Sequence, residues 1–309
     1  MENVQKLTHI EHILKRPDSY VGPVDLNVEP YWILSNTRSQ FEKKNLRYSP
    51  ALLKIFDEIL VNAVDRNSMH PKHVTSISVT VDKESGAVTI ENNGPLGGIG
   101  IRMHEKEGLW NPELTFGHLL TSTNYDDSKK RVVGGRNGYG AKLTNIYSSE
   151  FSVIIKDHES KQTYTQKWSN NMTVCEPPKI KKHAGAVSSV SITFIPDWRR
   201  FGLSKMENAI YKIFQKRVWD ANICTTPNCK VKFNGDVLPK QNFEVYAKMH
   251  EGVGEVCSFS NDRWSVCIGP SENGLEQVSF VNGICTTKGG THVDHVASII
   301  ASGIIEEMA

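Results

Sequence analysis

The sequence predicts an α+β fold in which helices lie over a mixed, mainly antiparallel sheet. Two amphipathic helix patterns, at 49–67 and 204–220, are separated by a series of short segments that alternate like β-strands. The first pair of these segments carries a hairpin signature, which favours antiparallel pairing. Helices laid on one face of such a sheet form an α+β architecture. At 309 residues the chain is long enough for about two domains.

The first two helices are marked by capping signals. Thr8 and Glu11 have the spacing of a capping box, which predicts a short helix near the N-terminus. A longer helix begins at Ser49 and Pro50, with serine as the N-cap and proline at the first helical position, and extends to about Asn67. Its apolar side chains share one broad face, which we expect to be buried.

Strand patterns follow this long helix. Residues 77–81 and 87–90 alternate on either side of a Lys-Glu-Ser-Gly turn, and the second of them leads into Asn92-Asn93-Gly94. Further strands are predicted near 151–156, 162–168 and 187–195.

Turn residues gather at 234–239 and indicate a domain boundary, so we predict a first domain over 1–240 and a second over 241–309. The second domain contains short strand patterns at 255–260, 263–268 and 276–282. A helical pattern begins close to His292 and continues to the end of the chain. Because this helical pattern has no partner in the sequence that follows it, we expect a second domain that begins near 241 and is incomplete.

Composition restricts the possible function classes. The net charge of +2 is too small to predict nucleic-acid binding, and lysine clusters such as 179–182 and 129–131 are usually solvated faces. Apolar runs stay well below the roughly 18 residues of a membrane span, so we expect a soluble intracellular protein without a membrane partner. The six cysteines lack a paired CxxC pattern, and we expect reduced thiols.

A glycine-rich segment at 134–142 has the composition of a phosphate-binding loop. It holds four glycines together with Arg136 and Lys142, directly before a helical pattern. Glycine lets backbone N–H groups approach an anion, and a helix N-terminus adds donors. The segment differs from a Walker loop and from a dinucleotide fingerprint. It therefore indicates a third kind of nucleotide site, although a plain mobile loop is an equal alternative for this segment alone.

Three polar residues border the apolar face of the long helix. Glu58, Asn62 and Asp65 lie within about 60° of one another on a helical projection. A solvated helix edge is the common explanation of such a trio. The functional interpretation is that a carboxylate and a carboxamide face a cleft beside the core.

These elements occur in the order of the Bergerat ATP-binding fold. Five segments resemble the ATPase region of eukaryotic-type type IIA DNA topoisomerases, whether nuclear or encoded by large DNA viruses; they are 51–62, 119–127, 134–142, 192–197 and 279–290. The resemblance extends over nearly the whole chain. It implies a Bergerat-type ATPase sandwich, followed by an incomplete α/β transducer domain.

The resemblance implies roles for the matching residues. Glu58 corresponds to the general base that polarises the attacking water, and Asn62 to the ligand of Mg²⁺. Asn92 corresponds to the residue that contacts the adenine amino group, with Thr193 supporting the base from a neighbouring strand. The remaining ATP contacts correspond to Ser122, Thr123 and Asn124 at the ribose and phosphates, and to Arg136, Asn137, Gly138, Tyr139, Gly140, Ala141 and Lys142 in the triphosphate lid.

The family also implies cofactors and partners. The implied cofactors are ATP and Mg²⁺. The implied partners are a second copy of the chain, which forms a homodimer in the presence of ATP, and double-stranded DNA in the intact enzyme. The implied location is the nucleus or another DNA-containing compartment. Lys288, Gly289 and Gly290 match a DNA-facing surface of the transducer domain, although a solvated turn explains them equally well.

The chain departs from the family at three points. Residues 94–98 leave open which glycine takes the second position of the family pattern. Val4 stands where the family's N-terminal strap offers a tyrosine, and the lysine that reaches the γ-phosphate falls beyond Ala309. We therefore expect Mg·ATP binding with slow hydrolysis, and no DNA cleavage by this region alone.

Two other function classes compete with this interpretation. The first class has the same fold but another function, as in a heat-shock chaperone of the ninety-kilodalton type, a mismatch-repair ATPase or a histidine kinase. The segments 121–127 and 287–290 argue against all three. The other is a nucleotide-dependent dimerisation module with negligible hydrolysis. Hydrolysis that is lost when Glu58 is replaced would favour the enzyme.

Overall fold

A computed structural model of the chain describes residues 4–37, 39–121, 138–271 and 274–308. Its helices are α1 (His9–Lys15), α2 (Pro50–Met69), α3 (Asn111–Gly117), α4 (Gly140–Ile146), α5 (Asn208–Cys224), α6 (Phe243–Lys248) and α7 (Thr291–Met308). Its strands are β1 (Asn27–Leu34), β2 (Phe41–Tyr48), β3 (Ser76–Val81), β4 (Val88–Asn93), β5 (Ser148–Asp157), β6 (Gln162–Ser169), β7 (Val174–Cys175), β8 (Lys179–Lys182), β9 (Ser189–Pro196), β10 (Lys230–Phe233), β11 (Asp236–Val237), β12 (Cys257–Ser260), β13 (Ser265–Ile268), β14 (Phe280–Val281) and β15 (Ile284–Cys285).

Within these ranges, nine strands form one sheet in the order β11-β10-β3-β4-β9-β5-β6-β7, with β8 paired to β6. The pairs are antiparallel except for β10 and β3, which run parallel. The chain reaches β10 through α5, and a helical crossover of this kind is what allows a parallel pair to form. The predicted α+β fold with a mixed, mainly antiparallel sheet is confirmed.

The two faces of this sheet differ in character. The inner face carries buried side chains such as Ile77, Ile90 and Phe194 and is packed against α2, α4 and α5. The outer face carries the intervening residues of each strand, which are mostly polar and at least partly exposed, with Ile154 and Ile195 as apolar exceptions. Side chains alternate along a strand, so one covered face and one open face give this pattern.

The predicted capping signals are confirmed at both N-terminal helices. The Thr8 backbone N–H donates to Glu11 Oε2 at 2.7 Å, and Thr8 Oγ1 accepts from the Glu11 N–H at 3.3 Å, which completes the capping box. At α2, Ser49 Oγ accepts from the Leu52 N–H at 3.4 Å. The helix is further fixed by Phe56, whose ring stacks on Phe214 of α5 at 4.0 Å.

The described residues after 240 contribute unequally to the core. Tyr246 and Met249, in and just after α6, are buried, and the backbone of Phe41 exchanges hydrogen bonds with Met249 and Glu251 at 2.6 and 2.8 Å. By contrast, α7 has no buried residue. The packing of α6 therefore joins it to the first core, and the predicted boundary at 240 stays a prediction.

No helix in the described ranges is long and apolar enough to cross a membrane.

A cluster of ionic side chains is buried between α2, α5 and α6. We call it the α5 charge cluster, and it consists of Asp57, Lys216, Arg217, Asp220 and Tyr246. Lys216 Nζ lies 2.5 Å from Asp220 Oδ1, and the Arg217 guanidinium lies 2.9 Å from Asp57 Oδ1 and 3.3 Å from Asp220 Oδ2. The Tyr246 hydroxyl donates to Asp220 at 2.5 Å. Burial disfavours the charged carboxylate, yet the two neighbouring cations hold the pKa of Asp220 below its usual value.

Candidate functional site

The polar edge of α2 borders the buried core, as the helical projection predicted. The Glu58 side chain is 19% exposed and forms an ion pair with Lys54, one turn earlier. Asn62 lies one turn later and is half-buried, and its carboxamide has no hydrogen bond to another residue that the structure describes. Asp65 is buried. This arrangement fits the cleft interpretation, because a solvated edge would leave all three side chains exposed.

The glycine-rich segment approaches Glu58 closely at Gly140, the first residue of α4. A Cβ at position 140 would lie 2.9 Å from Glu58 Cδ and overlap the carboxylate oxygen Oε2. Only glycine therefore fits here without displacing the Glu58 side chain. The contact joins two of the predicted site elements, the α2 carboxylate and the glycine-rich segment.

Lys142 is buried, with 2% of its surface exposed. Its ammonium group donates to the carbonyl oxygens of Thr121 at 2.7 Å and Gly138 at 2.6 Å. These residues flank 122–137, so one cation holds both ends of that segment. Burial lowers the pKa of Lys142 to about 8, because removal from water disfavours the charged form.

This low pKa predicts a pH-dependent stability. The unfolded chain binds more protons than the folded one between pH 8 and the ordinary lysine pKa of 10.5, so the free energy of unfolding should rise with pH in that window. Relative to Lys142→Met, the wild type is expected to gain roughly 2 to 3 kcal/mol across the window. Urea titrations at several pH values measure the difference. Lys205→Met, at an exposed lysine, should show no such change, and a flat difference for Lys142→Met would contradict the assignment.

Asn92 projects from the inner face of β4 and is 8% exposed. It is paired with Ile77 on one neighbouring strand and Val190 on the other. Asn93, by contrast, is structural, since its Oδ1 accepts from the backbone N–H groups of Thr75 and Ser76, both at 2.9 Å. The two asparagines thus have different environments, and only Asn92 lies on the side of the sheet that α2 covers.

The register does not bring Thr193 to Asn92, which corrects the prediction that Thr193 supports a bound base. Thr193 is paired with Thr89, and their hydroxyls lie 2.8 Å apart on the outer face. Side chains change face at each residue, so Thr193 and Asn92 lie on opposite sides of the sheet. The residue of β9 beside Asn92 is Val190. It lies in a run of residues that favour β-structure, so nothing in the sequence singled it out as the neighbour of Asn92.

The loop after β4 also lies near α2. A Cβ at Gly94 would lie 2.6 Å from Val74 Cγ2, and this glycine has a φ of 106°. The Arg66 guanidinium, two turns after Glu58, donates to the Pro95 carbonyl oxygen and approaches Gly97. Sequence reasoning missed Lys54 and Arg66, although both share the α2 edge with Glu58 and Asn62 at helical spacing.

The other predicted residues are distributed as follows. Tyr139 and Ala141 are half-buried and pack against the core beside Lys142. Lys288, Gly289 and Gly290 form a turn directly before α7, with positive φ at both glycines, and no nearby feature assigns them to DNA. Five predicted residues lie outside the described ranges, namely Ser122, Thr123, Asn124, Arg136 and Asn137. In the described part of the chain no group of three or more His, Cys, Asp or Glu side chains could hold a metal ion.

The chain is similar over nearly its whole length to DNA topoisomerase 2. The enzyme of Penicillium chrysogenum is 42% identical over 321 residues, and that of Saccharomyces cerevisiae is 40% identical over 325; each match covers 99% of this chain. These matches cover 20% and 22% of the two relatives, so the chain spans about a fifth of their length. No family model matches.

Comparison with solved structures identifies the same family. The ATPase region of S. cerevisiae topoisomerase II has a TM-score of 0.93 at 42% identity, covering 98% of this chain and 80% of that one. The ATPase and transducer domains of DNA topoisomerase II from Balamuthia mandrillaris also give 0.93, at 39% identity, covering 99% and 78%. Similarity of this extent in both sequence and structure shows that the chain belongs to the DNA topoisomerase 2 family and corresponds to its ATPase region.

Proposed function

We propose that this chain binds Mg·ATP in the cleft between the polar edge of α2, the start of α4 and the inner face of β4. The observation that carries the proposal is the close approach of Gly140 to the Glu58 carboxylate. It sets a carboxylate directly beside the backbone of a glycine-rich segment. A nucleotide whose phosphates lie along that segment would bring its terminal phosphate near Glu58.

Each described side chain then has a task in hydrolysis. Glu58 accepts a proton from the attacking water, a role that suits a carboxylate largely withdrawn from solvent. Asn62 offers a neutral carboxamide oxygen, which fits a hard cation such as Mg²⁺ that also takes phosphate and water ligands. Bound Mg²⁺ would neutralise phosphate charge. Lys142 adds a buried positive charge on the same side.

Asn92 is proposed to contact the base. Its carboxamide has both donors and acceptors and lies at the inner face of β4, where Val190 supplies an apolar neighbour. A ligand held between α2 and the sheet would contact this face only. Thr193, on the other face, has no part in the proposal.

The wider activity follows from the family. We propose that ATP drives dimerisation of this region as the N-terminal gate of a type IIA topoisomerase, which captures duplex DNA in the intact nuclear enzyme. Hydrolysis would then reset the gate. The region alone is expected to hydrolyse ATP slowly and to leave DNA uncut.

Sedimentation velocity with calorimetry tests the proposal. We expect Mg²⁺ with a non-hydrolysable ATP analogue to convert monomer to dimer, whereas ADP or no ligand leaves a monomer. Asn92→Ala should weaken analogue binding and shift the dimer transition to higher ligand concentration. A monomer that binds the analogue tightly would overturn the gate function, and absence of binding would overturn the nucleotide site itself.

A further inference from the structure

We propose that the outer face of the nine-stranded sheet binds double-stranded DNA through its phosphate backbone. Six lysines define this surface, which we call the lysine face: Lys156, Lys167, Lys179, Lys181, Lys230 and Lys232. It lies on the opposite side of the sheet from the proposed nucleotide site. The two proposals therefore rest on different residues and fail separately.

The strand registers bring four of these lysines together on β5, β6 and β8, and they place Lys230 and Lys232 on β10, toward the other end of the same face. Lys156 is paired with Thr163, which is paired with Lys181, and Lys179 is paired with Thr165 two residues further along β6. Thr163 and Thr165 alternate with Tyr164 and Gln166, which are buried on the inner face. Lys230 and Lys232 also lie on the outer face, because they alternate along β10 with Val231 and Phe233, which are buried on the inner face. Lys182, although part of the same run in sequence, has the opposite orientation.

This face carries a net positive charge. None of the six ammonium groups lies within 4.0 Å of a carboxylate in the described part of the chain. The strands contribute two acidic side chains to the face, Glu91 and Glu150. In contrast, the lysines on other surfaces include several that are paired, such as Lys43, Lys54 and Lys248. A cluster of unpaired lysines on one face produces a positive potential that attracts a polyanion.

Shape and surface chemistry favour a nucleic acid over a protein partner. Seven adjacent strands, from β8 to β10, span roughly 29 Å at the usual strand spacing, close to the ~34 Å length of one duplex turn. Between the lysines lie hydroxyl side chains, such as those of Thr163, Ser191 and Ser78, which are suited to donate to phosphate oxygens. The apolar patch that forms the centre of a protein interface is absent from these strands, where Ile154 is 39% exposed among polar neighbours.

The same chemistry predicts binding without sequence preference. Lysine ammonium groups recognise phosphate as point charges, and the face carries no arginine to read guanine edges. A broad, open surface suits a duplex better than a single strand, because it offers no aromatic platform for stacked bases. Affinity should therefore depend steeply on salt and only weakly on sequence.

Fluorescence anisotropy with labelled 30-base-pair duplexes of two unrelated sequences tests this inference. Replacing Lys156, Lys167 and Lys181 by alanine together should weaken binding on the order of 10-fold or more at low salt and reduce the slope of log K against log salt by roughly 2 to 3. Replacing three exposed cations elsewhere, Lys106, Lys205 and Arg263, removes the same charge and should leave the wild-type slope. Binding of the ATP analogue should be the same in all three proteins.

Three results would overturn the proposal. Equal loss in both triple variants would mean that net charge alone, and not this face, attracts DNA. Tighter binding to single strands or to duplex RNA than to duplex DNA would reject the assigned partner. Absence of any duplex binding by the wild type at low salt, in protein that still binds the ATP analogue, would reject the surface while leaving the nucleotide site intact.

Discussion

Glu58→Gln is expected to lower the rate of ATP hydrolysis by about 10² to 10⁴-fold while nucleotide affinity changes little. Glutamine keeps the size of the side chain beside Gly140 but cannot accept the proton of the attacking water. The substitution also removes the ion pair with Lys54, whose own side chain is 44% exposed, so the pair contributes at most about 1 kcal/mol to folding. Loss of hydrolysis without loss of fold or binding would identify Glu58 as the general base.

Steady-state phosphate release, with analogue affinity measured separately, provides the comparison. Glu91→Gln is the matched control, since Glu91 is exposed on the outer face of β4, away from the proposed nucleotide site. We expect wild-type hydrolysis from this control. Phosphate release by Glu58→Gln at the wild-type rate would refute the assigned role, whatever the absolute rate of the region.

Asp220→Asn is expected to reduce the free energy of unfolding by about 3 to 5 kcal/mol. In the α5 charge cluster this carboxylate balances Lys216 and Arg217, which are almost wholly buried. An amide of the same shape leaves the cations less compensated in a medium where charge is costly. The Arg217 Nη2 atom already lacks a hydrogen-bond partner in the described structure, which leaves little reserve.

The chain contains its own control for this effect. Glu244 and Lys248 also form a lysine–carboxylate pair at helical spacing, at 2.8 Å, but both side chains are more than a third exposed. Glu244→Gln should therefore cost less than about 1 kcal/mol. Urea titrations of the two variants compare one interaction in two environments. Equal costs would show that burial does not set the strength of the cluster.

The sequence predicted the elements whose signals are local. Capping residues identified α1 and α2, and apolar spacing identified the polar edge of α2 that carries Glu58. The β1–β2 hairpin was missed because β2 is largely polar, with exposed lysines at 43 and 44, so its alternation is weak. The parallel strand β10 was missed because its partner β3 lies about 150 residues earlier, and no local pattern reports such a pairing.

The sequence predicted which residues form the candidate site better than it predicted how they are arranged in space. From the order of residues along the chain, Glu58 and the glycine-rich segment were assigned to one nucleotide site. The contact between Glu58 and Gly140 agrees with this assignment. The face on which a strand residue lies depends on register, and a shift by one residue reverses it. That is why Thr193 was assigned to the base, although Val190 is the neighbour of Asn92.

The position of Lys142 also bears on how this part of the chain opens locally. Its ammonium group donates to the carbonyl oxygens of Thr121 and Gly138, so one buried side chain links two backbone positions that are far apart in sequence. A local opening that releases Lys142 would free both carbonyl groups at once. The backbone amides beside Thr121 and beside Gly138 should therefore exchange their hydrogens with solvent as one cooperative unit.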